Sequence, residues 1–173
     1  MDRTWAAVAI LAFVTLQRLI ELRLADRNSK RLLAEGAVEY GRGHYPFIVA
    51  LHMLWLAALW WWAPGRAINL PLLLLFVILQ LGRVWVIATL GERWTTRIIV
   101  KPGAPLIRTG PYKFLNHPNY LIVTLEIAVL PLVFGLWRIA LVFSLLNAVI
   151  LAIRIRAENR ALARLSAHPS GNA

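Results

Sequence analysis

The chain has 173 residues, of which 60% are hydrophobic and only 16% charged, with a mean hydropathy of +0.64. Those values exclude an ordinary soluble domain and fit one membrane-embedded domain, while the absence of cysteine excludes disulfides, thiolate nucleophiles and thiolate metal sites. The net charge is +11, but the basic residues gather at the ends of apolar runs, which makes the lipid bilayer, and not nucleic acid, the expected partner.

Taken in order, residues 4–24 form a first apolar span, with Gln17, Arg18 and Glu21 sharing one helical side. It is retained rather than cleaved, because no small-residue processing site follows it. Residues 25–44 are charged, and Leu32-Leu33 suggests a short interfacial helix ending near Gly36. A second span, 45–63, closes on Trp60-Trp61-Trp62 before Pro64-Gly65, the pattern of an interfacial aromatic belt and a turn. A third, 71–90, carries Gln80 and Arg83.

Residues 92–119 leave the membrane and hold four prolines, with an alternation at Arg97-Ile98-Ile99-Val100 too short to indicate a sheet. Spans at 120–133 and 137–153 follow, joined by Phe134-Gly135-Leu136, a link so short that it predicts an antiparallel helical hairpin. A basic helix runs on to about residue 165, and 166–173 is expected to be a disordered tail.

The fold class is therefore an all-α integral membrane protein of about five transmembrane helices, a single domain over 1–165. Lysine and arginine distribution sets the orientation. One face gathers Arg23, Arg27, Lys30, Arg31, Arg42, Arg93, Arg97, Lys101, Arg108, Lys113, Arg154, Arg156, Arg160 and Arg164, against Arg3, Arg66 and Arg138 on the other. The N-terminus is then outside and the C-terminus cytoplasmic, with a bacterial plasma membrane as the expected location.

Chemistry-bearing residues concentrate in Gly110-Pro-Tyr-Lys-Phe-Leu-Asn-His-Pro-Asn-Tyr120. Residues before proline are pushed from helical geometry, and irregular backbone at membrane depth survives only when buried in protein or lining a polar cavity. Pro118 suits the first turn of a helix, which puts His117 at its cap, where it could help hold an anionic group. An interfacial loop with a capping histidine explains the same pattern equally well. A second constellation is Arg154 and Glu158, which share the apolar side of the last helix while Arg156, Arg160 and Arg164 take the other. Charge on an apolar side calls for a ligand or for pairing, and a structural ion pair remains open. Among intramembrane polar groups Glu126 stands out, two turns into the fourth span. Glu39, His44 and His52 lack metal-like spacing but suit a substrate-facing or base role.

Gly110-Pro111-Tyr112-Lys113 followed by Asn116-His117-Pro118-Asn119-Tyr120, then Arg154-x-x-x-Glu158-Asn159-x-x-Leu162, resembles the paired motifs of the isoprenylcysteine carboxyl methyltransferase family. The front half, with Arg27-Asn28, Glu39-Tyr40-Gly41, His44-Tyr45-Pro46, Leu51-His52 and Gly91-Glu92-Arg93-Trp94-Thr95, is similar to a microbial branch whose members are implicated in O-methylating long-chain phenolic or pyrone lipids.

The resemblance implies a membrane O-methyltransferase that uses S-adenosyl-L-methionine enclosed by residues 91–165. Tyr112, His117, Pro118 and Tyr120 would line the cofactor, Glu158 and Asn159 would close the site, and Arg154 would act at the transfer centre or orient the acceptor. Asn116 stands where the family usually has arginine, and Asn159 where it usually has a second glutamate. A lipophilic acceptor offering a carboxylate needs no base. A phenol, with a pKa near 10, would want one, for which His44, His52, Glu39 and Glu126 are the candidates. A membrane reductase of the steroid-reductase type using NADPH, and a non-enzymatic lipid-binding protein, are the other two functions such a chain could serve.

Overall fold

A computed structural model describes residues 3–167, the side chains of His44 and of residues 161–167 excepted. Five helices carry the fold: α1 (Arg3–Ala34), α2 (Tyr45–Trp62), α3 (Leu70–Leu90), α4 (Pro118–Val133) and α5 (Trp137–Ala167). Four of them are long and apolar enough to cross a membrane, whereas α4, at 16 residues, is shorter. The short interfacial helix expected after the first span does not form separately. It is the continuous end of α1, since nothing between residues 24 and 34 interrupts helical hydrogen bonding. Of the expected tail, Ser166 and Ala167 complete α5, and 168–173 lie outside the described residues.

The all-helical class holds, but the alternation at Arg97-Ile98-Ile99-Val100, read as too short to indicate a sheet, needs correction. Strands β1 (Val38–Tyr40) and β2 (Ile98–Val100) form a small antiparallel sheet, with Glu39 opposite Ile99. Each strand alone is too short to signal itself. The pairing is held at its ends by ions, Lys101 Nζ lying 2.7 Å from Glu35 and Arg97 Nη1 3.6 Å from Glu39.

Local chemistry fixes the element boundaries. Asn69 caps α3, its side chain accepting from Leu72 N–H, with Pro71 in the first turn. Between α4 and α5, Gly135 takes φ 69°, and the Leu136 and Gly135 amides return to the carbonyls of Pro131 and Leu132. That is a Schellman closure, and it turns the chain into the predicted hairpin within three residues.

The buried stripe of α1 is Ala7, Leu11, Val14, Glu21, Ala25, Asn28 and Leu32, a seven-residue recurrence broken by polar groups. Ala7, Leu11 and Val14 join Leu51, Trp55 and Leu59 of α2, Phe76 and Leu79 of α3, and Ile127, Leu130 and Val133 of α4 in the main core. A smaller cluster of Ala25, Val86 and Trp94, with Tyr112 and Ile122 against it, lies toward the other end.

Between the two clusters sits a network of charge. Arg83 of α3 grips Glu21 of α1 with two hydrogen bonds (2.6 and 2.7 Å) and donates to Glu126 of α4 (2.9 Å). Arg18 joins the same carboxylates (3.0 Å to Glu21, 2.6 Å to Glu126), while Gln17 and Gln80 donate to Glu21 and Glu126 respectively. Two guanidinium groups balance two carboxylates, the condition under which buried charge is tolerated in a bilayer. Removing one member leaves the others uncompensated. Arg83→Met should destabilise the protein by about 3–5 kcal/mol, read as a lowered melting temperature in detergent. The double variant Arg83→Met/Glu126→Gln should recover part of that loss by restoring neutrality. A single variant that melts with the parent would show that the network does not hold the helices.

Candidate active site

A cleft of about 770 Å³ opens where the helices end, on the side of β2 and the 101–117 segment. Its wall includes Tyr112, His117, Tyr120, Arg154, Glu158 and Asn159, so the two sequence motifs meet in one place although 34 residues separate Tyr120 from Arg154.

The loop is seated by glycine. Gly110 has φ 54°, and a Cβ there would come within 2.5 Å of Thr89 Oγ1 and 3.3 Å of Trp85 Nε1 on α3. Only glycine permits both the left-handed backbone and the contact. It opens the 3₁₀ turn Gly110–Lys113, which delivers Tyr112 to the small cluster around Trp94. Burial pushes the Tyr112 hydroxyl up to about 12, assisted by the nearby Glu158 carboxylate.

Pro118 begins α4 with His117 at the cap position, as its sequence predicts. His117 makes no side-chain cap bond. Instead its ring stacks on Tyr120 (centroids 5.1 Å apart, planes 14° apart), with Nδ1 4.0 Å from Glu158. Tyr120 is the centre of the group. Its hydroxyl donates to Glu158 and accepts from Arg154 Nε at 2.9 Å, and the guanidinium carbon of Arg154 lies 5.5 Å from its ring centroid. Arg154 and Glu158 are thus bridged through a phenol. An ion pair between them is not what the last helix builds.

The remaining candidates lie elsewhere. Pro118 is buried and starts the helix, without lining the cleft. Glu126 is 1% exposed with both oxygens engaged in the ionic network, and it does not line the cleft. His52 is on α2, its Nδ1 against the Ile48 carbonyl at 2.8 Å, away from the cleft lining. Glu39 is held by Arg42 (3.0 Å) at the sheet. His44 ends the turn Arg42–His44, its side chain outside the described residues.

Sequence reasoning assigned no role to the wall formed by Arg93, Trp94, Arg97, β2, Lys101 and Arg108. The turn after α3 is pinned by Asn28 of α1, whose amide donates to the carbonyls of Gly91 (3.1 Å) and Trp94 (2.9 Å). The available signal was the polar breach at Asn28, seven residues beyond Glu21 in an otherwise apolar stripe.

The cleft has the features that S-adenosylmethionine would need. Among the described residues it holds one carboxylate for positive charge, aromatic faces, several arginines for a carboxylate, and two buried polar atoms without partners, Trp94 Nε1 and Asn119 Oδ1. The Tyr112 hydroxyl gives a direct check. Its neutral form is held by burial, so the stability linked to it is intact below pH 10, its ordinary value, and is lost as pH rises from 10 to about 12. The difference absorbance between parent and Tyr112→Phe should titrate near pH 12. A midpoint near pH 10 would contradict the burial.

Among curated proteins, the chain is 37% identical over 174 residues to the uncharacterized protein YpbQ of Bacillus subtilis (strain 168), covering 94% of this chain and 98% of that one. It is 30% identical over 159 residues to an uncharacterized protein of Haemophilus influenzae (strain ATCC 51907 / DSM 11121 / KW20 / Rd), covering 86% and 90%. No solved structure matches it. The isoprenylcysteine carboxyl methyltransferase (ICMT) family matches residues 72–164, the stretch holding both motifs, α3 and the helical hairpin. The chain is a member of that family, and with its apolar helices it is an integral membrane protein.

Proposed function

We propose that the protein is an S-adenosyl-L-methionine-dependent methyltransferase acting on an oxygen of a lipophilic acceptor. The observation that carries this reading is the Tyr120 hydroxyl, which joins Glu158 and Arg154 beside His117 inside the cleft. Family membership favours methyl transfer over the reductase alternative. When bound, the cofactor supplies an electrophilic methyl group on a positively charged sulfur.

Glu158 offers the one negative charge in the cleft wall among the described residues, suited to the cationic part of that molecule. Tyr112, Tyr120 and His117 supply aromatic surface, and Asn159 an amide beside Glu158. Arg154 orients an acceptor oxygen on this reading, which is supported by its Nε being fixed by Tyr120 while its terminal nitrogens make no hydrogen bond among the described residues.

Cations far outnumber carboxylates around the cleft, with Arg93, Arg97, Lys101, Arg108, Lys113 and Arg154 against Glu158. Such a field lowers the pKa of an acidic acceptor and favours its ionised form. An acceptor that arrives as carboxylate, phenolate or enolate requires no protein base. That agrees with the positions of Glu126 and His52 outside the cleft. The basic end of the bundle is the cytoplasmic one on this reading, with the N-terminus outside, in a bacterial plasma membrane. The acceptor's apolar tail enters from the bilayer.

Titration calorimetry in detergent should show saturable S-adenosylmethionine binding, lost in Glu158→Ala and His117→Ala while both variants still fold. Tyr120→Phe removes the bridging hydroxyl and should weaken binding roughly tenfold to a hundredfold, the value of one or two charge-assisted hydrogen bonds. Transfer of radiolabel from the cofactor to a host lipid extract should yield a methylated lipid. Unchanged binding in both Glu158→Ala and His117→Ala would overturn the site. Label transfer absent despite binding would overturn the lipid acceptor.

A further inference from the structure

We infer that Trp94 is a ligand-binding residue of the cleft, its indole N–H donating a hydrogen bond to an acceptor nitrogen or oxygen of the bound methyl donor, and that Asn28 of α1 is the positioning residue that holds it there. This inference rests on the functional reading above and adds to it a contact from a segment outside both sequence motifs.

Trp94 lines the cleft yet is only 2% exposed, and its Nε1 is buried with no hydrogen-bond partner among the described residues. An indole nitrogen can only donate, so its need cannot be met by exchanging roles with a neighbour. A buried donor left empty has lost its bond to water and gained nothing in return, and such a group in a cavity wall is explained when a ligand supplies the acceptor. The rest of the residue is firmly set. Val86 and Ala25 pack against it, the Arg83 guanidinium carbon lies 5.9 Å from its ring centroid, and its carbonyl accepts from Asn28 Nδ2 at 2.9 Å.

Asn28 also holds the Gly91 carbonyl at 3.1 Å. It therefore spans the turn Gly91–Arg93 at both ends, and α1 fixes the backbone from which the indole projects without Asn28 lining the cleft. The amide is 6% exposed and its two donor hydrogens are both used, so it acts through Trp94 rather than on the ligand.

Trp94→Phe removes the N–H while keeping an aromatic ring. Purified in detergent, the variant should still fold, melting below the parent for the lost ring volume, but bind S-adenosylmethionine and S-adenosylhomocysteine about tenfold more weakly, the value of one neutral hydrogen bond at its upper range. With ¹⁵N-tryptophan labelling, the indole resonance missing from Trp94→Phe identifies Trp94 among the eight tryptophans. That resonance should shift on addition of S-adenosylhomocysteine in the parent, and should lose its shift in Asn28→Leu. 5′-Methylthioadenosine locates the acceptor atom: a retained shift puts it on the nucleoside, a lost one on the amino-acid carboxylate.

Equal affinity of parent and Trp94→Phe, together with an indole resonance that does not move, would overturn the inference and leave the Glu158 site standing. A parent that binds no cofactor at all would overturn both. A purely structural indole would lower the ligand-free melting temperature yet leave the ligand-induced rise intact, and that intact rise would overturn the inference.

Discussion

The contact on which the rest depends is Arg83, held between Glu21 and Glu126 inside the apolar bundle. Each of the three helices involved would otherwise be free to slide or rotate, because side chains such as Leu, Val and Ile meet lipid and protein with similar ease. A bidentate guanidinium–carboxylate pair has little such freedom. Shifting α1 by one residue would swing Glu21 about 100° away and strand a charge in hydrocarbon. The network contributes less by raw attraction, most of which desolvation offsets, than by penalising every other register.

Register is what the cleft requires. Glu21 and Asn28 lie on one stripe of α1, so the rotation that brings Glu21 to Arg83 also brings Asn28 to the turn after α3. Arg83 reaches Trp94 on that turn, and Glu126 belongs to the helix whose first turn holds Tyr120. The charges sit out of reach of the chemistry and still decide where its residues stand. Buried ionisable groups in a span attract a catalytic interpretation by default. At Glu126 the geometry shows a structural use, since Arg18, Gln80 and Arg83 donate to its two oxygens.

Much of this was legible in the chain itself. Apolar run lengths gave the helices, Phe134-Gly135-Leu136 gave the hairpin, and the side preference of Arg154 and Glu158 set them apart from the arginine stripe of the same helix. Periodicity could not show that Tyr120 stands between them, because it reports spacing within a helix and not distances between helices. The sheet escaped for a related reason: three residues per strand carry too little pattern, and the partners lie about sixty positions apart. Glu126 and Arg83 were visible as expensive charges, but whether an expensive charge faces a ligand or another charge is decided by how the helices pack. Asn28 was the most readable omission, a polar side chain on the buried stripe that had to have a partner.

The departure at Asn159 from the family pattern acquires a physical meaning at the cleft. With Asn159 in place of a second carboxylate, Glu158 carries the negative charge alone among the described lining residues, and its oxygen is committed to the Tyr120 hydroxyl with His117 close by. A carboxylate so engaged is a held counter-charge, one oxygen accepting the phenol hydrogen while the other makes no hydrogen bond among the described residues. The site holds a carboxylate on one side and Arg154, tethered by the same phenol, on the other. A single tyrosine sets the spacing between the carboxylate and the guanidinium, and on the proposed reading it thereby fixes where a cationic donor and an anionic acceptor would meet.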